Sequence, residues 1–305
     1  MEFNKKNELT LGKGEHMYND ASIIQLTNIT EYKFSDELQE ALKDIQWRLH
    51  SNNFLELFAQ IEGKIIIGIG ISWLNAFHPH AKYIRVVSMN NFESLIEKLL
   101  HTISPQEHVI YSCWSDDIAS IQFLQNWDFQ LFRKTYMETY NVNDLVAKMP
   151  TYPSSATLLS LKEVLQQPKL VESLFQLVKL NYEKTHLHNP VKNMTWRMWK
   201  EDLLEDTPDL QLSYIALEQN EVVAYIFLHP ISDPVYEVGW VGTSTDDFDL
   251  HIILTKQLHK LKRKGILNVA FEVDTTDVHA WAFAELLTLK KKKSWNSYMH
   301  KPNLV

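Results

Sequence analysis

The chain has 305 residues, 45% of them hydrophobic and 22% charged, a globular composition long enough for one large core or two ordinary ones. Its formal charge of -8 argues against DNA or RNA as main partner, because neutralising phosphates needs a basic face. A single cysteine, Cys113, excludes a disulfide framework and a thiolate metal site, and reads as a small buried residue on a strand.

Residues 1–20 form a polar leader without the apolar segment of a signal peptide, and Met17 is an alternative start to Met1. No apolar run reaches the length of a bilayer span, so the expectation is a cytoplasmic protein with no membrane partner. Ser22 to Leu26 predicts a first strand, and Phe34 to Asn52 a helix with Leu38, Leu42, Ile45 and Leu49 on one face. Phe54–Ile61 and Ile65–Trp73 predict a hairpin about Glu62-Gly63-Lys64. Strand Lys82–Val87, helix Phe92–Ile103, strand Val109–Trp114, helix Asp117–Asn126 and strand Phe129–Tyr140 follow.

Beyond residue 150 the order repeats. Thr157–Leu161 is a strand, Lys169–Glu183 and Thr195–Leu204 are helices, and Leu212–Glu218 with Val222–Pro230 makes a hairpin about Gln219-Asn220. A strand at Tyr236–Thr243 hands over through a polar loop to a helix carrying Leu250, Ile253, Leu254, Leu258 and Leu261 at three- and four-residue spacing. Leu267–Val273 is then strand, Asp277–Leu287 helix and Lys291–Tyr298 strand. The two runs share one sequence of elements, which is the mark of an internal repeat. Asp117, Phe123, Trp127 and Phe129 have the spacings of Asp277, Phe283, Leu287 and Leu289. Pro150, Pro153 and two serines interrupt the pattern, so the expected division is a first domain over 21–148 and a second over 149–305.

A mixed sheet with strand–loop–helix followed by strand–helix–strand resembles the GNAT superfamily of acyl-CoA-dependent N-acetyltransferases. Phe271-Glu272-Val273-Asp274, then Asp277, Ala280, Phe283 and Leu287-Thr288-Leu289, carry the resemblance, with Asp117 to Phe129 as its first-half copy. The layout is similar to that of two-domain members such as mycothiol synthase. The resemblance implies an α/β (α+β) fold of two tandem GNAT-like domains, each a mixed, mostly antiparallel sheet flanked by helices. It implies acetyl transfer from acetyl-CoA to an amine of a small molecule or peptide, in a monomer or homodimer. The alternative is a catalytically inactive module of the same shape that binds a ligand or partner.

By the same resemblance the cofactor would lie along Val241, Gly242 and Thr243 and over the helix start at Asp249, Leu250, His251, Ile252 and Ile253, with Asp277 close by. The family's phosphate loop relies on glycine, whose backbone closes on phosphate oxygens. No register of Asp246 to Leu254 supplies one, nor does Ser88 to Ser94 in the first half. Asp246, Asp247 and Asp249 read more simply as helix-start caps. The general-acid tyrosine of the family falls on Ala284 and Leu124, leaving Tyr298 or Tyr236 as substitutes. Glu237 and Glu272, flanked by Tyr236, Trp240 and Phe271, are the candidate bases for the amine; ordinary strand carboxylates are the alternative reading.

His78-Pro79-His80 and His186-Leu187-His188 each place two histidines at alternate positions, but no carboxylate completes a metal site, and they read as polar loop residues. The segment from Tyr182 to Trp199 is where, by the resemblance, an acceptor would touch the second half; Trp196 and Trp199 read as core. Lys290 to Lys293 reads as a solvated run or edge-strand device.

Overall fold

The computed structural model of the protein describes residues 22–43, 45–88, 92–149, 156–232, 234–245 and 247–301. The leader, the first-half loop at 89–91, Asp246 and the interruption at 150–155 lie outside the described residues. The first half runs β1 (Ser22–Gln25), β2 (Lys33–Phe34), α1 (Asp36–Ala41), α2 (Gln46–His50), β3 (Glu56–Glu62), β4 (Ile65–Leu74), β5 (Ala81–Ser88) and α3 (Phe92–His101). It continues with β6 (His108–Trp114), α4 (Ile118–Asn126), β7 (Gln130–Asn141) and α5 (Val142–Lys148). The second half holds β8 (Thr157–Ser160), α6 (Leu161–Val164), α7 (Pro168–Thr185), α8 (Trp196–Glu205), β9 (Tyr214–Glu218), β10 (Glu221–Ser232) and β11 (Val235–Thr243). It ends with α9 (His251–Arg263), β12 (Asn268–Asp274), α10 (Val278–Trp281) and β13 (Trp295–His300).

All thirteen described strands join one mixed, mostly antiparallel sheet in the order β1-β3-β4-β5-β6-β13-β7-β12-β11-β10-β9-β8, with β2 beside β4. The order contains an exchange. The last strand of the chain, β13, lies between β6 and β7, pairing Trp295 with Trp114 and Met299 with Ile110 on one side and Trp295 with Thr135 on the other. In turn β7 leaves its own half to pair with β12, Asp274 opposite Thr135. Each half's sheet is thus completed by the other half's terminal strand. The cores follow suit: Tyr298 sits with Tyr111, Phe123 and Phe129 of the first half, whereas Tyr136, Val142 and Leu145 join the second half's core.

Local causes are plain. Ser35, Asp117 and Thr195 accept from backbone N–H groups three residues on and start α1, α4 and α8. Ser160 and Glu163 form a reciprocal capping box, so Leu161 opens α6 and the strand before it stops at Ser160. The β9–β10 turn is made by Gln219 and Asn220, both at positive φ (49° and 66°), the conformation that tight hairpins require. The helix expected over Phe34–Asn52 is broken in two, with Ile45 N–H bonded to Leu42 O. All four of its apolar anchors are nevertheless buried. The helix expected at Asp277–Leu287 keeps its α-form only to Trp281. Beyond that point three-residue bonds from Phe283 and Ala284 tighten the chain. The expected strand from Lys291 begins only at Trp295, after a 3₁₀ turn over Leu289–Lys291. Lys292 and Lys293 are not merely solvated: they pair with Glu138 and Asp116, beside the exchanged strand. Cys113 is buried on β6.

Candidate functional site

The sheet opens where one of its parallel pairings ends. β11 runs beside β12 only from Val235–Asn268 to Val238–Phe271, and the strands then part. A β-bulge marks the parting: Phe227 faces Trp240 and Leu228 faces Val238, so Gly239 is the extra residue. A Cβ on Gly239 would come within 2.6 Å of the His229 ring, and one on Gly242 within 2.3 Å of Asn181 Nδ2 and 2.5 Å of the Tyr225 hydroxyl. Because Tyr225 is fully buried and has nowhere to go, Gly242→Ala is expected to destabilise the protein by about 1–3 kcal/mol. Thermal unfolding checks this, and an unchanged Tm would mean that the strand ends are not packed as described.

In the first half the corresponding parting, beyond Ile84–Tyr111, is closed. The buried Tyr111 hydroxyl donates to Val86 O at 3.3 Å, and Phe92 packs edge-on against the Tyr111 ring. In the second half the parting opens into a cavity of about 550 Å³, lined by second-half residues and by Arg133 of β7. Glu237, Val241, Glu272 and Asp277, expected from the sequence, all line it. Thr243 joins through its hydroxyl, 3.2 Å from Nδ1 of the cavity residue His279.

The electrostatics are lopsided. Asp206, Glu237, Glu272, Asp274 and Asp277 face the cavity against one guanidinium, Arg133. Although Glu272 is an exposed residue of β12, enclosure by the cavity walls first, then the charges of Asp274 and Glu237, push its carboxyl above the usual carboxylate range. Burial likewise raises Glu237 and Asp277. Asp277 also caps α10, accepting from His279 and Ala280 N–H. Asp274 is held from the first half by Thr135 Oγ1 and, at 3.3 Å, by Arg133 Nη1.

Arg133 of β7, Tyr182 and Thr185 of α7 and His186 just after it line both this cavity and a smaller one of about 290 Å³. His78 Nδ1 lies 2.7 Å from Asn189 O, which can only accept, so Nδ1 carries the proton and Nε2 accepts from the Tyr182 hydroxyl at 2.9 Å. His186 stacks on Tyr182 at 3.8 Å, and burial pushes its imidazole down to about 4, leaving it neutral. His78 is therefore a buried bridge between the halves, which corrects its reading as a polar loop residue. His229 donates from Nδ1 to Asp206 O at 3.0 Å. Its buried Nε2 has no hydrogen-bond partner among the described residues.

The other sequence candidates lie elsewhere. Tyr298 is buried in the first half's core, carried there by the strand exchange, and does not reach the cavity. Tyr236 donates to Asp209 Oδ2 at 3.0 Å. Asp249, Leu250, His251, Ile252 and Ile253 form the start of α9, where Leu250 and Ile253 are core residues. The fit of a diphosphate there is poor. Asp249 Oδ1 already accepts the His251 N–H at 3.0 Å and lies 2.7 Å from the His251 ring nitrogen, and Asp249 O accepts from Ile252. The donors that would hold an anion thus bond to Asp249, and its carboxylate would repel the phosphate charges. The side chains that sequence reasoning passed over are Arg133, Asp206, His229, Asp274 and His279. Tyr182 and His186 fall in the segment expected to touch an acceptor. Among the described residues no group of His, Cys, Asp and Glu is arranged to hold a metal, and no helix is long and apolar enough to cross a membrane.

No protein-family model matches the chain, and no curated protein matches it by sequence. Solved structures do. The chain is similar to a GCN5-related N-acetyltransferase from Sphaerobacter thermophilus, with TM-score 0.56 and 12% identity over 88% of this chain and 85% of that one. It is similar to a tandem GNAT protein from the clavulanic acid biosynthesis pathway, with TM-score 0.53 and 8% identity over 82% and 83%. It is also similar to a glucosamine N-acetyltransferase region of a fungal multi-domain β-N-acetylglucosaminidase, with TM-score 0.52 and 13% identity over 92% of this chain and 38% of that one. At such identities the likeness is one of fold: the chain has the GNAT fold in its tandem form.

Proposed function

Proceeding from that fold, we propose that the chain is a GNAT-type N-acyltransferase whose acceptor is a cationic amine, bound in the cavity where β11 and β12 part. The carrying observation is the parting of β11 and β12, which opens onto five carboxylates and one guanidinium. Such a lining attracts an ammonium group and repels anions. Glu272 is the proton acceptor in this reading: its O–H bond forms as the N–H bond of the ammonium breaks, leaving a neutral amine with a free lone pair. A carboxylate held above the usual range is a better match for that proton than an ordinary one. Glu237, across the ladder from His229, is the second candidate.

Acetyl-CoA is the donor to assay first, on the strength of the fold, with the cofactor residues Val241 and Thr243 along the parted strand. The start of α9 gives it no diphosphate cradle, so no step is routed through it. That same observation favours a second reading, a GNAT-shaped module that binds an amine without acylating it. Incubation with acetyl-CoA and a panel of diamines, read by mass spectrometry, separates the two. An acetylated amine supports transfer; amine binding with no product supports the module; neither binding nor product defeats both. Amine affinity is expected to fall as pH is lowered, beginning above the ordinary carboxylate range, since Glu237, Glu272 and Asp277 protonate early.

A further inference from the structure

The cleft between the halves is divided by charge. Its larger lobe holds all five carboxylates, and its smaller lobe, lined by Tyr83, Phe132, His188 and Asn189 among others, holds none. Arg133 stands at the junction and lines both. Among the described residues its one anionic partner is Asp274, through Nη1, and its buried Nε has no hydrogen-bond partner. A guanidinium has five N–H donors in a planar fork matched to a carboxylate, so one ion pair at 3.3 Å leaves most of it unused. Two more residues of the lining hold buried polar atoms without partners among the described residues. In the smaller lobe Asn189, 7% exposed, donates to the Tyr83 hydroxyl while its Oδ1 has no partner. His229, which lines the larger lobe and is also 7% exposed, holds the orphan Nε2 described above.

Resting on the amine-acceptor reading, we infer that the acceptor is a basic amino acid held as a zwitterion. Its carboxylate meets Arg133 on the acid-free side of the junction, and its ammonium groups lie among the carboxylates of the larger lobe. A purely cationic diamine would leave Arg133 facing it, charge against charge. A purely anionic ligand would meet five carboxylates. A monoanionic group suits the junction better than a phosphate, because one guanidinium shared with Asp274 has little charge to spare. Because Arg133 comes from β7, the exchanged strand, the site is built from both halves of the repeat.

The test is a titration of the full chain with lysine and cadaverine, which differ only by the carboxylate. Lysine is expected to bind at least tenfold more tightly than cadaverine. Arg133→Gln is expected to weaken lysine and to leave cadaverine equal or tighter, removing the preference. Asp274→Asn, which frees Arg133 and removes one negative charge, is expected to raise the lysine-to-cadaverine ratio, and serves alone should Arg133→Gln fail to fold. Equal affinities in the wild type, or a ratio unmoved in either variant, would overturn the inference. Cadaverine binding alone would do so while sparing the amine reading; silence from both compounds would remove that reading as well.

Discussion

Replacing Glu272 by Gln is expected to lower kcat for amine acylation by about 10²–10⁴-fold, the usual worth of a positioned general base, with the KM of the amine changed far less. Gln keeps the shape and one acceptor oxygen of Glu but cannot take a proton. The acid limb of the wild-type pH–rate profile, set by the raised Glu272 carboxyl, is expected to vanish with it. Stability is expected to move the other way. The folded state holds the Glu272 proton to higher pH than the unfolded chain does, so its stabilising contribution is complete below the ordinary carboxylate pKa. That contribution is lost as pH rises through the raised value. At neutral pH the ionised carboxylate among Asp274 and Glu237 is therefore a burden, and Glu272→Gln is expected to raise Tm. Lost turnover with a raised Tm separates a catalytic role from misfolding. Unchanged turnover in both Glu272→Gln and Glu237→Gln would remove the base assignment.

Ending the chain at Lys293 is expected to abolish cooperative folding of both halves. The truncation removes β13, whose Tyr298 and Met299 are 4% and 1% exposed, and leaves β6 and β7 as bare edges in the middle of the sheet. Losing two buried side chains of this size costs about 2–5 kcal/mol each. The ladder on either side adds about 0.5–1.5 kcal/mol per hydrogen bond. Together these approach the whole stability of a typical domain, about 5–15 kcal/mol. Circular dichroism on heating checks it, and a peptide of residues 294–301 supplied in trans is expected to restore part of the transition. A cooperative melt of an intact first half in the truncated chain would show that the exchange contributes little.

That exchange also marks what the sequence made legible. Local patterns carried the order of elements, because burial periodicity is written residue by residue. Leu38, Leu42, Ile45 and Leu49 are all buried even though their helix is broken, and Phe283, Ala284 and Leu287 are buried past the end of α10. Glu237 and Glu272 were legible as a pair because they sit on neighbouring strands that the repeat identifies. Partner choice between distant strands leaves no such trace. Nothing local to Tyr298 says that it pairs beside Leu131 and across from Tyr111, in the other half. The same blindness hid Arg133, whose place in the cleft follows from β7 crossing to β12. His78 was missed because two histidines about a proline resemble any polar turn. Only the Asn189 carbonyl and the Tyr182 hydroxyl, each over 100 residues away, make it a buried bridge. Of the three aspartates read as caps at the start of α9, Asp249 accepts the His251 N–H, Leu250 stands at the cap position without a side-chain bond, and Asp246 lies outside the described residues.

The central claim is that the cleft between the two halves binds an amine through Glu237 and Glu272. Isothermal titration of cadaverine into the wild type and into the Glu237→Gln/Glu272→Gln double variant, at neutral pH and low salt, tests it most directly. The predicted result is one saturable site per chain in the wild type, weakened with added salt and at least tenfold weaker in the variant. Heat of equal size and affinity in both proteins, or no heat in either with millimolar cadaverine and none with millimolar lysine, would contradict it.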